Sequence, residues 1–356
     1  MLANPKAAKA KLQLAVDTFR YLILSKDKKW KKPAEDPASF FPKDDDGELV
    51  VLRKKTVVFF RHGESTWNDT FNKGDRKSTA FLIGFIPGLI RSLVTEWYFL
   101  VRGKSDDSWF FDAPLSEKGI SQAQGVAKFL RDTDPKYATP KEAKFLRLIK
   151  GEESSEKTET GKCVLVSSNL RRAISTCAIS LKDRLDRKLP GDKIVILQEL
   201  QEASINPDAQ SIAPPFVKLL TSFTDSEGVK NIYANQTDTS INKGNKGIDS
   251  NGLIRMQAFC NLLFGAGSDS DKETDGDNAG SLLSSADHVL CTGHSYWFRA
   301  FFQTYLPKDF THVSKTKKIV NGGMVGFTLC HTKVTATGED KYLIDPSSLT
   351  ILYAGF

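Results

Sequence analysis

Histidine is scarce in this chain, with five among 356 residues, and none falls in a His-Glu-x-x-His pattern. Zinc-type catalysis therefore lacks ligands, because it needs His, Cys or carboxylate groups at fixed spacing. Cysteine is equally sparse: Cys163, Cys177, Cys260, Cys291 and Cys330 are odd in number and sit mostly in apolar runs. They read as small core residues in a reducing compartment rather than as a disulfide framework. No Gly-x-x-x-x-Gly-Lys-Ser/Thr loop is present, and neither a metal nor another cofactor is expected. The N-terminal stretch has no secretory apolar core.

What the chain does contain is a set of short apolar runs that end in chemically useful groups. Val57 to Phe60 leads into Arg61-His62-Gly63-Glu64. Val164-Leu165-Val166 leads through Ser168 into Arg171-Arg172-Ala173, which reads as a helix start. Ile194 to Leu197 is followed by Glu199 and Glu202, and Val289-Leu290-Cys291 by Gly293-His294 and the aromatic, helix-like stretch from Tyr296 to Tyr305. Such runs read as buried strands, and α/β folds place their ligands at the carboxyl ends of strands. Four strand ends would thus bring His, Arg, Glu and His to one rim.

Around a phosphoryl group those residues form a working set. A neutral imidazole can attack phosphorus and divide one displacement into two. Fixed cations and N–H donors stabilise the charge on the equatorial oxygens, and Arg61, Arg172 and His294 are suitable donors. A nearby carboxyl can protonate the leaving alkoxide. Gly63 lets backbone approach closely after the strand. Two arginines at a helix start are electrostatically unfavourable, so at least one of Arg171 and Arg172 is expected to have a specific task.

With these residues in hand, the chain resembles the histidine phosphatase superfamily, the phosphoglycerate mutase-like fold. The opening signature is complete as Arg61-His62-Gly63-Glu64-Ser65-Thr66-Trp67-Asn68. Further elements follow in the family's order: Asp112-Ala113-Pro114-Leu115-Ser116 with Gln122-Ala123, then Ser168 to Thr176, Gly293-His294 and Asn321-Gly322-Gly323. The resemblance implies a three-layer α/β/α sandwich with a mostly parallel central sheet. It makes His62 the phosphorylated nucleophile and assigns Arg61, Asn68, Arg172 and His294 to the phosphate. Arg172 is preferred to Arg171 because it immediately precedes alanine. The proton donor lies in a Leu-x-Glu element, for which Glu202 is favoured, being followed by Asn206-Pro207-Asp208; Glu199 and Asp208 stay open. The implied activity is hydrolysis of a phosphomonoester on a small molecule. The alternatives are mutase-type transfer, disfavoured because the mutases' Gly-Trp and Glu-Arg-His-Tyr-Gly segments are missing, and a non-catalytic subunit.

Residues 50–356 are expected to form the histidine phosphatase domain, and 1–49 a helical and linker extension. Its lysines and late first acid, Asp17, are a faint signal for organellar import within an otherwise cytoplasmic expectation. The net charge of +7, with a run from Lys26 to Lys32, is read as solvated surface that would attract a phosphorylated substrate, and no nucleic acid is expected. The polar segments 151–162 and 265–287 read as loops, the second as a disordered excursion from the rim opposite His294. Between Asn68 and Asp112 lies an inserted segment, 79–111. Leu89, Ile90, Leu93, Val94, Trp97, Tyr98 and Val101 fall at helical spacing opposite Arg91, Ser92, Thr95 and Glu96. A cap helix beside the site is expected there, and peripheral membrane contact through 79–101 is the alternative. Arg91, Glu96, Pro87 and the paired glycines speak against a membrane span. The sequence does not define an oligomeric state.

Overall fold

The computed structural model describes residues 4–45, 47, 49–74, 76–152, 161–189, 191–266 and 278–356. Strands β1 (Arg53–Arg61), β2 (Cys163–Ser168), β3 (Ile194–Leu197), β4 (Thr237–Asp238), β5 (His288–Gly293), β6 (Met324–Lys333) and β7 (Asp340–Tyr353) form one sheet. Their order is β4-β3-β2-β5-β1-β6-β7. The first five in that order run parallel, while β6 and β7 add an antiparallel edge.

The parallel strands are buried on both faces, which is why their sequences are continuous apolar runs rather than alternations. Val57 and Phe59 enter one core and Val58 and Phe60 the other. Helices α1 (Pro5–Leu24), α2 (Thr66–Phe71) and α3 (Ser78–Val101) contribute to neither core. The second core is covered by α4 (Glu117–Asp132), α5 (Pro140–Lys150), α6 (Arg171–Ser180), α7 (Lys182–Leu185) and α8 (Glu227–Asn235). The first is covered by α9 (Gly252–Phe264), α10 (Asn278–Ser285) and α11 (Ser295–Tyr305). This is the expected three-layer sandwich. Phe59 stacks on Phe298 with ring centroids 4.1 Å apart, so the aromatic run after His294 forms the lid of the first core. Phe59→Ala would cost about 3–5 kcal/mol.

Three expectations change. Residues 25–49 are not a free linker: Asp27 is fully buried, pairing with Lys246 at 2.7 Å and Arg255 at 2.5 Å. Trp30 packs on the first core and Phe41 on Cys330 and Leu343. The acid sits in a lysine run, and it was the lysines that turned outward. In the second polar segment, 278–285 is helix α10, with Ala279 and Leu283 in the core. Lys55 and Arg53 of β1 donate to the carbonyls of Ser284, so basic residues meet the negative end of that helix. Residues 267–277 and 153–160 lie outside the described residues. The third change concerns the insertion, where the helix forms but Ser92 and Glu96 face the protein.

Candidate active site

The site begins as a consequence of strand register. Arg61 of β1 pairs with Gly293 of β5, so His62 and His294 leave adjacent parallel strands on the same rung. Their rings lie 4.9 Å apart between centroids. On the other side of β5, Ser167 pairs with Thr292, which brings Ser168 to the same level. Its hydroxyl lies 2.8 Å from His294 Nε2. The apolar runs that lock the register therefore also set the spacing of the polar groups that follow them.

His62 is held in one tautomer. Its Nδ1 is 2.5 Å from the carbonyl oxygen of Gly63, which can only accept, so Nδ1 carries the proton. Nε2 is left with a lone pair, toward which the Arg172 Nε–H points at 3.4 Å. Burial, reinforced by the Arg172 and Arg61 cations, holds His62 well below the ordinary imidazole value of 6.5. His294 is lowered likewise, first by burial and then by Arg172. Both rings are thus neutral, as a nitrogen nucleophile requires.

The cations come from separate elements. Arg172 sits in the first turn of α6, anchored by donation from Nη1 to the Asp208 carbonyl at 2.6 Å. Arg61 donates from Nη1 to the Ile319 carbonyl at 2.6 Å. Burial lowers Arg61 to about 10, a shift that leaves it charged at neutral pH. Arg61 Nε and His294 Nδ1 are buried with no hydrogen-bond partner among the described residues. Polar atoms so placed are suited to the oxygens of an anion. Arg171 has the structural role: its backbone N–H and guanidinium bind Asp112 and the carbonyls of Asp106 and Phe111.

Two carboxyls border this group, and they differ in their partners. Glu202 accepts backbone N–H bonds from Ala203 at 3.0 Å, Trp297 at 3.0 Å and Tyr296 at 3.3 Å, at the positive end of α11. Those bonds hold its carboxyl group in place at the start of that helix. Asp208 is buried 3.4 Å from Arg172 Nη2, and burial raises its pKa despite that cation. Glu199 turns elsewhere, with Lys243 at 3.6 Å.

Asn68, the remaining residue predicted to bind the phosphate, turns its side-chain oxygen along its own helix. It lies on α2, and its side-chain oxygen accepts from the exposed Asn72 amide at 2.6 Å. Gly63 is needed for close approach, but to protein: a Cβ there would stand 2.3 Å from the Gly119 carbonyl oxygen. Residues overlooked by the motif reading complete the support. Asn321 donates to the His62 carbonyl at 3.0 Å, and Gly63 N–H donates to Thr176 Oγ1 at 3.1 Å. Lys246 binds the Glu202 and Ser204 carbonyls, tying the Asp27 cluster to the Glu202 loop. Asn321 was visible within Asn-Gly-Gly; for Lys246 nothing in its neighbourhood gave a signal. Among the described residues, no cluster of three His, Cys, Asp or Glu side chains could hold a metal ion.

No protein-family model matches the chain, and no curated protein matches it. Similar solved structures include mycobacterial hydrolase 1, with 14% identity over 82% of this chain and 97% of its own, at a TM-score of 0.34. Mycobacterial glucosyl-3-phosphoglycerate phosphatase has 14% identity over 82% and 97%, at a TM-score of 0.33. Phosphoglycerate mutase from Bacillus anthracis has 14% identity over 83% and 95%, at a TM-score of 0.34. Likenesses this loose carry no argument about residues or reaction. The resemblance to the histidine phosphatase superfamily therefore rests on the signature residues and on the strand ends that bring His62, Arg61, Arg172 and His294 together.

Proposed function

We propose that this protein hydrolyses a phosphomonoester through a phosphohistidine formed on His62. One observation carries the reading. The Gly63 carbonyl fixes the proton on Nδ1 and leaves Nε2 unprotonated, its lone pair facing the Arg172 Nε–H. In the first step the Nε2 lone pair forms a bond to phosphorus, and the bond to the ester oxygen breaks. Arg172, Arg61 and His294 bear on the phosphoryl oxygens, and a carboxyl supplies the proton to the departing alkoxide. In the second step water attacks phosphorus and gives a proton to the same carboxylate. The P–N bond breaks, phosphate leaves, and His62 regains its lone pair.

Asp208 is placed first as proton donor in our reading, since it is buried 3.4 Å from Arg172 and burial raises its pKa, which favours the protonated form. Glu202 is the competing reading, carried by the Leu-x-Glu motif. The pair separates with substrates of different leaving groups. The donor's amide variant, Asp208→Asn or Glu202→Gln, should lose rate on an alkyl phosphate and keep it on an aryl phosphate that needs no proton.

The test of the whole reading is phosphate release from a chromogenic phosphomonoester, 3-phosphoglycerate and sugar phosphates by wild type and His62→Ala. Release that vanishes in the variant, with an acid-labile phosphoenzyme in wild type, supports hydrolysis. Formation of 2-phosphoglycerate would replace it with the mutase reading. Inactivity on every substrate, without phosphoenzyme, would favour a non-catalytic subunit.

A further inference from the structure

Helix α3 is built inside out. Ser92 is fully buried, and Glu96 accepts from Ser108 Oγ at 2.5 Å, Trp109 N–H at 2.6 Å and Lys11 Nζ at 2.5 Å. The opposite side carries Ile83, Ile86, Ile90, Leu93, Val94 and Trp97, which recur every three or four residues apart from the adjacent Leu93 and Val94, and each is 55–77% exposed. Ser78–Val101 is also the one helix among the described residues long and apolar enough to cross a membrane. Its inward polar face is committed to the protein, however, and a crossing would sever every Glu96 contact. The free face is a strip along the helix, suited to a surface rather than to a bilayer interior. Helix α1 presents a second strip, Leu12, Val16, Phe19 and Ile23, 45–67% exposed. The two helices meet where Asn4 N–H donates to the Leu100 carbonyl and Lys11 reaches Glu96.

The ends of α3 say what covers it. Exposed Lys73 and Lys77 precede the helix, and exposed Arg102 and Lys104 follow it. Across residues 71–105 there are six basic residues against Asp75 and Glu96. Trp97 and Tyr98 lie near the C-terminal end, with amphipathic rings of the kind that settle at headgroup level. A second copy laid on this strip would set cations against cations in either orientation, whereas anionic headgroups complement them.

We propose that the exposed strip of α3 docks this protein in the plane of an anionic lipid surface. The inference is independent of the phosphatase reading. Its test is flotation of the full-length protein with vesicles of phosphatidylcholine alone or mixed with phosphatidylserine. The expected result is co-flotation with the mixed vesicles, weakened by high salt and reduced at least about tenfold in the double variant Ile90→Glu, Val94→Glu. Both positions are exposed, so the variant's melting temperature and solution activity should match wild type. Absence of flotation would overturn the proposal, as would flotation unchanged by the double variant. A concentration-dependent dimer in ultracentrifugation, dissolved by the variant and blind to vesicles, would reassign the strip to a second copy.

Discussion

The sheet rim and helix α3 treat polarity in opposite ways. At the rim, polar groups are drawn in and most are matched, His62 to a carbonyl, Arg172 to Asp208 and Glu202 to the start of α11, while Arg61 Nε and His294 Nδ1 are left open. On α3, Ser92 and Glu96 are likewise turned inward, with Glu96 matched by donors, but the large apolar side chains are left in water. Burying a polar group requires a partner for each donor and acceptor, so a region that does this carries a geometric constraint. At the rim the constraint positions chemistry. On α3 it fixes the helix's rotation, and the rotation determines that an apolar strip faces outward.

If the rim is chemical, its largest response is at the nucleophile: His62→Ala should reduce phosphate release to the buffer rate while the protein keeps its melting temperature within a few degrees. Activity surviving that change would break the comparison at once. Next comes the ion cluster beneath the rim. Asp27→Ala leaves Lys246 and Arg255 buried without their shared carboxylate, and removing one partner of a buried pair costs about 3–5 kcal/mol. Urea unfolding should show the midpoint falling with little change in slope. Arg172→Ala should cost about 10²–10³ in kcat, the range for losing one positioned donor to a transition-state oxyanion, and lysine should restore only part because it lacks the planar fork.

Much of the rim was legible because its residues are tied to the strand pattern. Each apolar run predicted a strand, and the level ends of β1 and β5 follow once Arg61 and Gly293 are in register. Asn68 was placed by motif alone, and a side chain on a short helix is free to turn to Asn72. Asp27 was hidden because its partners, Lys246 and Arg255, are more than two hundred residues away in sequence and no local periodicity marks a long-range ion pair. For α3, periodicity identified the two faces but not which one turns inward. That depends on Lys11, Ser108 and Trp109, which the helix's own pattern does not contain.

A gentler probe of the rim is pH. Both buried imidazoles are lowered in the folded state, so below 6.5 the unfolded chain binds protons that the folded chain refuses. Stability then rises with pH across that window, is complete above 6.5, and is lost progressively as pH falls from 6.5 toward the folded values. Thermal melts of wild type and His294→Gln should diverge accordingly, with the variant showing the shallower loss on acidification. The kinetic counterpart is an acid limb of kcat/KM lying below the ordinary imidazole range, because the nucleophile stays neutral there.

The smallest expected effect is also the sharpest separation of the two regions. Val94 is 62% exposed, so Val94→Glu in aqueous buffer removes little buried area and creates no unpaired buried charge. Surface changes of this kind stay within about 0.5 kcal/mol, and turnover of a soluble phosphomonoester should be unaltered. Glu96→Gln, one side chain away on the other face, keeps the shape but gives up the carboxylate that Lys11, Ser108 and Trp109 share. It should therefore destabilise measurably in the same buffer. An apolar position that tolerates charge, beside a charged position that does not tolerate its loss, is the reverse of an ordinary surface helix. If Val94→Glu proved the more damaging of the two, the rotation of α3 would have to be turned, and its apolar strip would belong to the protein's interior.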